Sequence, residues 1–224
     1  MPGLHTRPPL WAVLTALCVL GCVAALAFGL PGPAGVAKMA ASCGFLGMAW
    51  SVGALRLLYG RLIVAGLFCS WWGDLFLIFS GEAFFLLGLV AFLCAHLVYG
   101  AAFIFVGVRV SATVGAAVLF LAPSGVITAW LWPELGALTV PVLGYVAVIT
   151  AMVALAIGAW SGGGNGWMPL AAGLFYLSDV LVARQAFITE SVWNPAIGLP
   201  LYYAAQLAFV QGVAVHRRMC AGTP

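Results

Sequence analysis

Charge is what this chain has least of. Lys and Arg together number eight and Asp and Glu five, so charged residues make up 6% of 224 residues, where a water-soluble domain carries about a quarter. A soluble fold of this size leaves roughly 30% of the surface of its unfolded chain exposed. A chain that is 65% hydrophobic, with a mean hydropathy of +1.18, cannot cover that surface with polar groups. The class is therefore integral membrane. The net charge of +3 is scattered rather than striped, which excludes a nucleic-acid partner.

Other scarcities exclude chemistries. Histidine occurs three times, as His5, His96 and His216. His5 and His216 fall at the ends of the chain, so a zinc site with three or four ligands has only His96 to build on. No G-x-S-x-G nucleophile elbow is present. Ser178 and Asp179 are sequence neighbours whose directions on a helix differ by about 100°, so spacing does not make them parts of a triad. Intramembrane aspartyl proteases carry G-x-G-D at one aspartate, but Trp71 stands where that motif needs its first Gly, which counts against proteolysis. The "SGGGNG" stretch at 161–166 lacks the Lys-Ser/Thr ending of a phosphate loop. The six cysteines (18, 22, 43, 69, 94, 220) form no framework; five lie in apolar runs, as small hydrophobes do. No metal and no cofactor is expected.

Apolar sequence is abundant. A bilayer core of about 30 Å needs about 20 apolar residues per helix. Breaks at Gly, Pro and charge divide the chain into spans at 10–30, 34–52, 61–80, 83–106, 112–132, 138–160, 167–189 and 197–216. This predicts an all-α polytopic bundle of eight helices forming a single membrane domain over 1–224. The connections are "PGP" at 31–33, "RLLYGR" at 56–61, "SGE" at 80–82, "VRVS" at 108–111, "WPEL" at 132–135, "SGGGNG" at 161–166 and "WNP" at 193–195. Their Gly and Pro punctuate as turns do. Pro123, inside the fifth span, is expected to kink it, which a membrane bundle tolerates. The first span could instead be a signal peptide, with Arg7 in front and "ALA" at 25–27 as a cleavage site. Its apolar run exceeds an h-region of about 7–15 residues, which favours a retained helix.

With the N-terminus in the cytoplasm, the inside segments hold Arg7, Arg56, Arg61, Arg109, Arg217 and Arg218. The outside turns hold Glu82, Glu134 and Glu190 and no Lys or Arg, a positive-inside pattern with both termini cytoplasmic. Lys38 and Arg184 are left within spans near their outer ends, where such groups snorkel or pair.

The only two aspartates, Asp74 in "WWGDLFLIF" and Asp179 in "YLSDVLVA", both lie within apolar spans. Each sits 12 or 13 residues into a span that runs inside to outside, or about 18–20 Å along a helix, so both are expected at one depth. A single such carboxylate can be structural, bonded across helices or paired with Lys38. Two at one depth favour function, because these groups are costly in lipid and mark sites. Gln206 falls near that level with Tyr202 and Tyr203 one turn before it on its face, Ser178 adjoins Asp179, and His96 lies deeper with Tyr99 at i+3. Together they predict a polar chamber. The shared small-Asp-apolar pattern also hints that spans 3–4 and 7–8 derive from duplicated four-helix halves. In a low-dielectric chamber one carboxyl can serve as general acid and an ionised neighbour, held by Lys38, as base. The rival reading is a transporter or lipid-binding protein that uses the two aspartates as a proton or cation relay, although no broken helix surrounds a substrate site.

An ordered set of segments carries a resemblance: Lys38 in the second span, "GDLFLI" at 73–78, "FLCAHLVYGAAF" at 92–103, "LFYLSDVLVARQAF" at 174–187 and "YYAAQLAF" at 202–209. In order and spacing they are similar to the lysoplasmalogenases, also called YhhN-like membrane proteins, over nearly the whole chain. The resemblance implies hydrolysis of the vinyl-ether bond of lysoplasmalogen to a fatty aldehyde and a glycerophospho head group. It implies Asp74 and Asp179 as the acid–base pair, in an order left open. His96, Tyr99 and Gln206 would orient water or substrate, with Ser178, Tyr202 and Tyr203 beside them, and Lys38 or Arg184 would meet the phosphate. The implied partners are a lysophospholipid and membrane lipids. The implied location is a bacterial inner membrane or, alternatively, the endoplasmic reticulum.

Overall fold

The computed structural model describes residues 10–221; Arg7 and His5 lie outside them. Among these residues the long elements are eight α-helices: α1 (Leu10–Ala27), α2 (Pro31–Ser51), α3 (Leu58–Phe76), α4 (Glu82–Val106), α5 (Val110–Leu131), α6 (Thr139–Ser161), α7 (Trp167–Ala183) and α8 (Trp193–Ala221). Each corresponds to one expected span. Short 3-10 turns at Ala54–Arg56, Trp132–Glu134 and Gly136–Leu138 make two of the connections, and a π-helical turn, Arg184–Ile188, extends α7.

Several segments expected to be loops are helix. Pro31 opens α2, and Pro195 sits in the first turn of α8, so "PGP" and "WNP" belong to helix starts. Proline is favoured there because its missing N–H would have no intrahelical partner. α8 accordingly starts four residues earlier and ends five later than the expected span. α5 continues through Pro123. Six helical segments are long and apolar enough to cross a membrane; α2 and α3 are not among them. Both carry polar groups that point inward, Lys38 and Ser42 from α2 and Ser70 and Asp74 from α3, with Ser42, Ser70 and Asp74 fully or nearly fully buried. Their average hydropathy is lowered partly by these inward groups and partly by exposed residues near the helix ends, Pro31 and Pro33 in α2 and Arg61 in α3.

Consecutive helices pair as α1–α2, α3–α4, α5–α6 and α7–α8. α4 and α7 both pack on α6, and α8 closes the bundle against α1, α2 and α3. The outer surface is apolar, as the core is, and a few polar groups are enclosed within. Leu119, Leu121 and Val126 of α5 face outward, while His96 and Gln206 are fully buried. With lipid outside there is no hydrophobic force between helices, so close approach of small residues and internal hydrogen bonds supply cohesion.

Gly73 illustrates the first of these. A Cβ there would lie 2.6 Å from the Phe92 ring, closer than packed atoms tolerate. Gly73→Ala is therefore expected to force α3 and α4 apart beside Asp74. The expected destabilisation is about 1–3 kcal/mol, read as a lowered thermal midpoint in detergent. Phe92→Leu in the same chain should recover part of it, and an unaltered midpoint for Gly73→Ala would contradict the packing.

Candidate active site

Asp74, near the end of α3, is buried beneath three donors. Lys38 Nζ of α2 stands 3.3 Å from Oδ1. On Oδ2 the carboxylate accepts from Tyr202 OH of α8 at 2.6 Å and from Ser42 Oγ of α2 at 2.7 Å. Ser42 is one helical turn after Lys38, so a single face of α2 delivers both groups. Tyr203 OH donates to the Lys38 backbone carbonyl at 2.9 Å and lies 3.0 Å from Ser42 Oγ. It braces the turn that presents the lysine.

Asp179 of α7 accepts on Oδ2 from Tyr145 OH of α6 at 2.6 Å, with His96 Nε2 of α4 at 3.3 Å. His96 Nε2 is also 2.8 Å from Tyr145 OH. Since Tyr145 gives its proton to Asp179, the histidine tautomer that completes the chain carries hydrogen on Nε2. Nδ1 is then a lone pair, and it is buried with no partner. Asp179 differs from Asp74 in two respects. Its side chain keeps 17% exposure, against 2%, and among the described residues its Oδ1 accepts no hydrogen bond.

The two centres are built alike. Within each four-helix half the aspartate lies on the third helix. Its partners come from the second helix of its own half and the fourth helix of the other half: α2 and α8 for Asp74, α6 and α4 for Asp179. This is the placement duplicated halves would give.

Both aspartates open onto one cavity of about 400 Å³, within the range of small-molecule sites; Lys38, Tyr145, Ser178 and Tyr202 also line it. Most of the wall is apolar, with Leu77, Leu89, Phe92 and Ile149 among its residues. The hollow can therefore hold an alkyl chain while presenting two carboxyl groups beside three tyrosines, Tyr145, Tyr176 and Tyr202. Among the described residues no three His, Cys, Asp or Glu side chains gather as a metal-binding group.

A family model described as the YhhN family matches residues 33–213. The chain belongs to the YhhN family. The match runs from α2 to α8 and so includes every aspartate partner named above. The chain is 35% identical to bovine (Bos taurus) "Lysoplasmalogenase TMEM86A" over 157 residues, 65% of this chain and 62% of that protein. Human "Lysoplasmalogenase TMEM86A" is equally similar over 155 residues. A "Lysoplasmalogenase" of Mycobacterium bovis is 31% identical over 189 residues, 80% of this chain and 69% of that one. The chain thus spans about 62% of the length of the mammalian relatives. No solved structure matches it.

The remaining expected residues of this YhhN chain fall into four groups. His96 and Tyr203 do not line the cavity and reach it through the hydrogen bonds described. Tyr99 and Gln206 form a separate buried pair, with Tyr99 OH donating to Gln206 Oε1 at 2.8 Å; neither lines the cavity. Ser178 lines it, but its hydroxyl donates to the Gly198 carbonyl at 3.0 Å and ties α7 to α8. Arg184 begins the π turn and donates to Asn194 Oδ1 at 2.5 Å. Asn194 is buried and lines the cavity, and its amide group also donates to Gln185 Oε1 at 2.7 Å. Arg184 pairs with no carboxylate among the described residues.

Sequence reasoning missed Ser42 and Tyr145. Ser42 was within reach, since i+4 from Lys38 places it on the same face. Tyr145 stands alone in an apolar stretch, and no spacing connects it to Asp179, 34 residues away in sequence.

Proposed function

We propose that this YhhN chain is a membrane lysoplasmalogenase, which adds water across the vinyl ether of a lysoplasmalogen to give a fatty aldehyde and a glycerophospho alcohol. The observation that carries the reading is the single apolar cavity onto which both Asp74 and Asp179 open. The names of the curated relatives agree with it.

Vinyl ethers are cleaved by proton delivery to carbon. In the proposed sequence Asp179 is the acid. Its Oδ1 is free to carry a proton, while Tyr145 and His96 hold Oδ2 in place. The proton passes to the β-carbon of the vinyl group, and the positive charge that develops on the adjacent carbon and ether oxygen is an oxocarbenium ion. Asp74 is the base. Three donors converge on it, which suits the carboxylate form. It stabilises the cation and takes a proton from the water that attacks it. The resulting hemiacetal loses its glycerol oxygen as the alcohol, leaving the aldehyde, and proton return from Asp74 to Asp179 resets the pair. The division of labour parallels paired-carboxyl glycoside hydrolysis by analogy. Tyr145, Tyr202 and His96 hold the carboxyl groups. Lys38 is occupied by Asp74, which leaves Arg184 for the substrate phosphate; Arg184 does not itself line the cavity and meets it only through Asn194, to which it is bonded. Ser178, Tyr203, Tyr99 and Gln206 support the helices around the chamber.

In this reading the chain works as one membrane domain with both ends of the bundle on the cytoplasmic side. Arg56, Arg61, Arg109, Arg217 and Arg218 face the cytoplasm, and Glu82, Glu134 and Glu190 the other side. A bacterial inner membrane is the proposed location. The purified protein in detergent, given lysoplasmalogen, is expected to release aldehyde and glycerophospho alcohol in equal amounts without any gradient. No aldehyde from choline or ethanolamine lysoplasmalogens would overturn the proposal. Ion-coupled uptake into vesicles in its place would favour the relay reading.

A further inference from the structure

Three side chains that the proposed reaction leaves unused form a hydrogen-bonded row behind the cavity wall. Thr150 of α6 donates to the Val146 carbonyl one turn back at 2.7 Å. Thr150 Oγ1 lies 2.7 Å from Ser124 Oγ of α5, and Ser124 Oγ lies 2.9 Å from Tyr176 OH of α7. All three residues are buried, and Tyr176 lines the cavity together with Asp179, three residues further along α7. The rise between the two is about 4.5 Å. The Tyr176 ring is fixed by an edge-to-face contact with Phe120, centroids 5.6 Å apart.

Counting protons sets the direction of the row. Each hydroxyl has one to give. Thr150 spends its proton on the Val146 carbonyl, so the bond between Thr150 and Ser124 takes its proton from Ser124. The bond between Ser124 and Tyr176 then takes its proton from Tyr176. The phenol oxygen of Tyr176 is left with lone pairs only, and among the described residues it accepts no hydrogen bond. Bonds that run in one direction polarise one another, which strengthens the last acceptor. The wall beside Asp179 thus carries an oxygen that can accept and cannot donate. Tyr145 and Tyr202 give their protons to the aspartates; Tyr176 is hydrogen-bonded to neither.

We propose that Tyr176 is a catalytic residue that accepts one hydrogen of the attacking water, with Ser124 and Thr150 as the positioning residues that keep its own proton turned away. The inference rests on the vinyl-ether reading of the cavity and adds a residue to it. Asp74 takes one proton of that water in the reaction; the second hydrogen, in an apolar hollow, is costly to leave unpaired. With one hydrogen on Asp74 and the other on Tyr176, the water presents a lone pair to the oxocarbenium carbon. The carbon–oxygen bond forms from that pair, Asp74 receives the first proton, and the second stays on the hemiacetal hydroxyl. A phenol that donated would instead bind the lone pair and blunt the attack. Linking helices is the ordinary use of such hydroxyls in a membrane bundle, but it gives no reason for the row to end on the cavity.

The test is a competition between nucleophiles. Purified protein in detergent turns over lysoplasmalogen in a methanol–water mixture. Water gives aldehyde. Methanol, attacking the same carbon and passing its proton to Asp74, gives a mixed acetal that keeps the glycerol oxygen, and mass spectrometry counts both products. Methanol has one hydrogen to offer and cannot fill both acceptors, so the unaltered protein is expected to prefer water, mole for mole. Tyr176→Phe should lower kcat about 10-fold with KM within about 2-fold, and cut the preference for water about 5-fold, the scale of one hydrogen bond. Thr150→Val frees the Ser124 proton to turn to Tyr176 and reverses the row, so it should move kcat and the preference in the same direction. Thr150→Ser keeps the row and should restore both. The product ratio is read only from molecules that turn over, so a variant that partly unfolds still reports it. An unchanged ratio in Tyr176→Phe, or equal ratios in Thr150→Val and Thr150→Ser, would overturn the inference. So would a loss confined to KM, which assigns the oxygen to the substrate's own hydroxyl. No aldehyde from the unaltered protein would instead remove the vinyl-ether reading, and the inference with it.

Discussion

Asp179→Asn is expected to lower aldehyde release by at least about 100-fold, the scale of a lost general acid. An amide has the shape of the carboxyl and can still accept from Tyr145, so the packing of α6 on α7 should survive and the thermal midpoint should change little. What the amide cannot do is give up a proton to carbon. Asp74→Asn should cost a similar factor by a different route, since it removes the negative charge facing the oxocarbenium ion and the acceptor for the water proton. The measurement is single-turnover aldehyde formation by each purified variant in detergent, beside an unfolding curve to separate chemistry from folding. Turnover within about 3-fold of the unaltered protein, in either variant, would remove that aspartate from the mechanism. The phenols supply an internal comparison. Tyr145→Phe and Tyr202→Phe each delete one donor and leave the carboxyl groups, so their losses should be smaller than those of the aspartate variants.

Lys38→Met is expected to destabilise the bundle by about 3–5 kcal/mol, the usual consequence of stripping one partner from a buried ion pair. Asp74 is 2% exposed and its partner 14%, so little water is available to replace the lost ammonium. Tyr202 and Ser42 would remain as donors, but they bring no countercharge. The double variant Lys38→Met with Asp74→Asn should then be more stable than Lys38→Met alone, because it removes the stranded charge. Chemical unfolding in detergent of the two variants and the unaltered protein measures the difference. A single variant as stable as the unaltered protein would mean that Lys38 and Asp74 do not pair. The same experiment bears on chemistry. Without Lys38 the carboxyl loses the cation that favours its charged form, and the base function assigned to Asp74 should weaken along with stability.

The expected spans follow the observed helices closely because the bilayer requirement is written in composition: runs of about 20 apolar residues separated by Gly, Pro and charge. The departures have local causes. Prolines in "PGP" and "WNP" read as loop, yet they open helices, since the first turn has no use for their missing N–H. α2 and α3 carry too many polar and small residues to look like membrane spans on average. Some of them, Ser42, Ser70 and Asp74 among them, are buried in the bundle, while others, such as Pro31, Pro33 and Arg61, are exposed at the helix ends.

Within the candidate site, the two aspartates stood out because an ionisable group in an apolar run is rare, and Lys38 was the one lysine within reach. The partners did not stand out to the same degree. Tyr145 meets Asp179 only because α6 packs on α7, and Tyr202 meets Asp74 only because α8 crosses back onto the first half of the bundle. Tyr99 and Gln206, which share a face with site residues, instead satisfy each other away from the cavity.

Composition by itself determined that this chain lives in lipid, where its helices begin and end to within a few residues, and which side chains are too costly to bury without a purpose. Hydropathy and helical period are local properties, so they can be read from one segment at a time. The tertiary structure alone decided that both carboxyl groups open onto one hollow and which hydroxyls hold each of them. Those depend on which helix faces lie against one another, and hydropathy gives a bilayer-embedded helix no preferred neighbour.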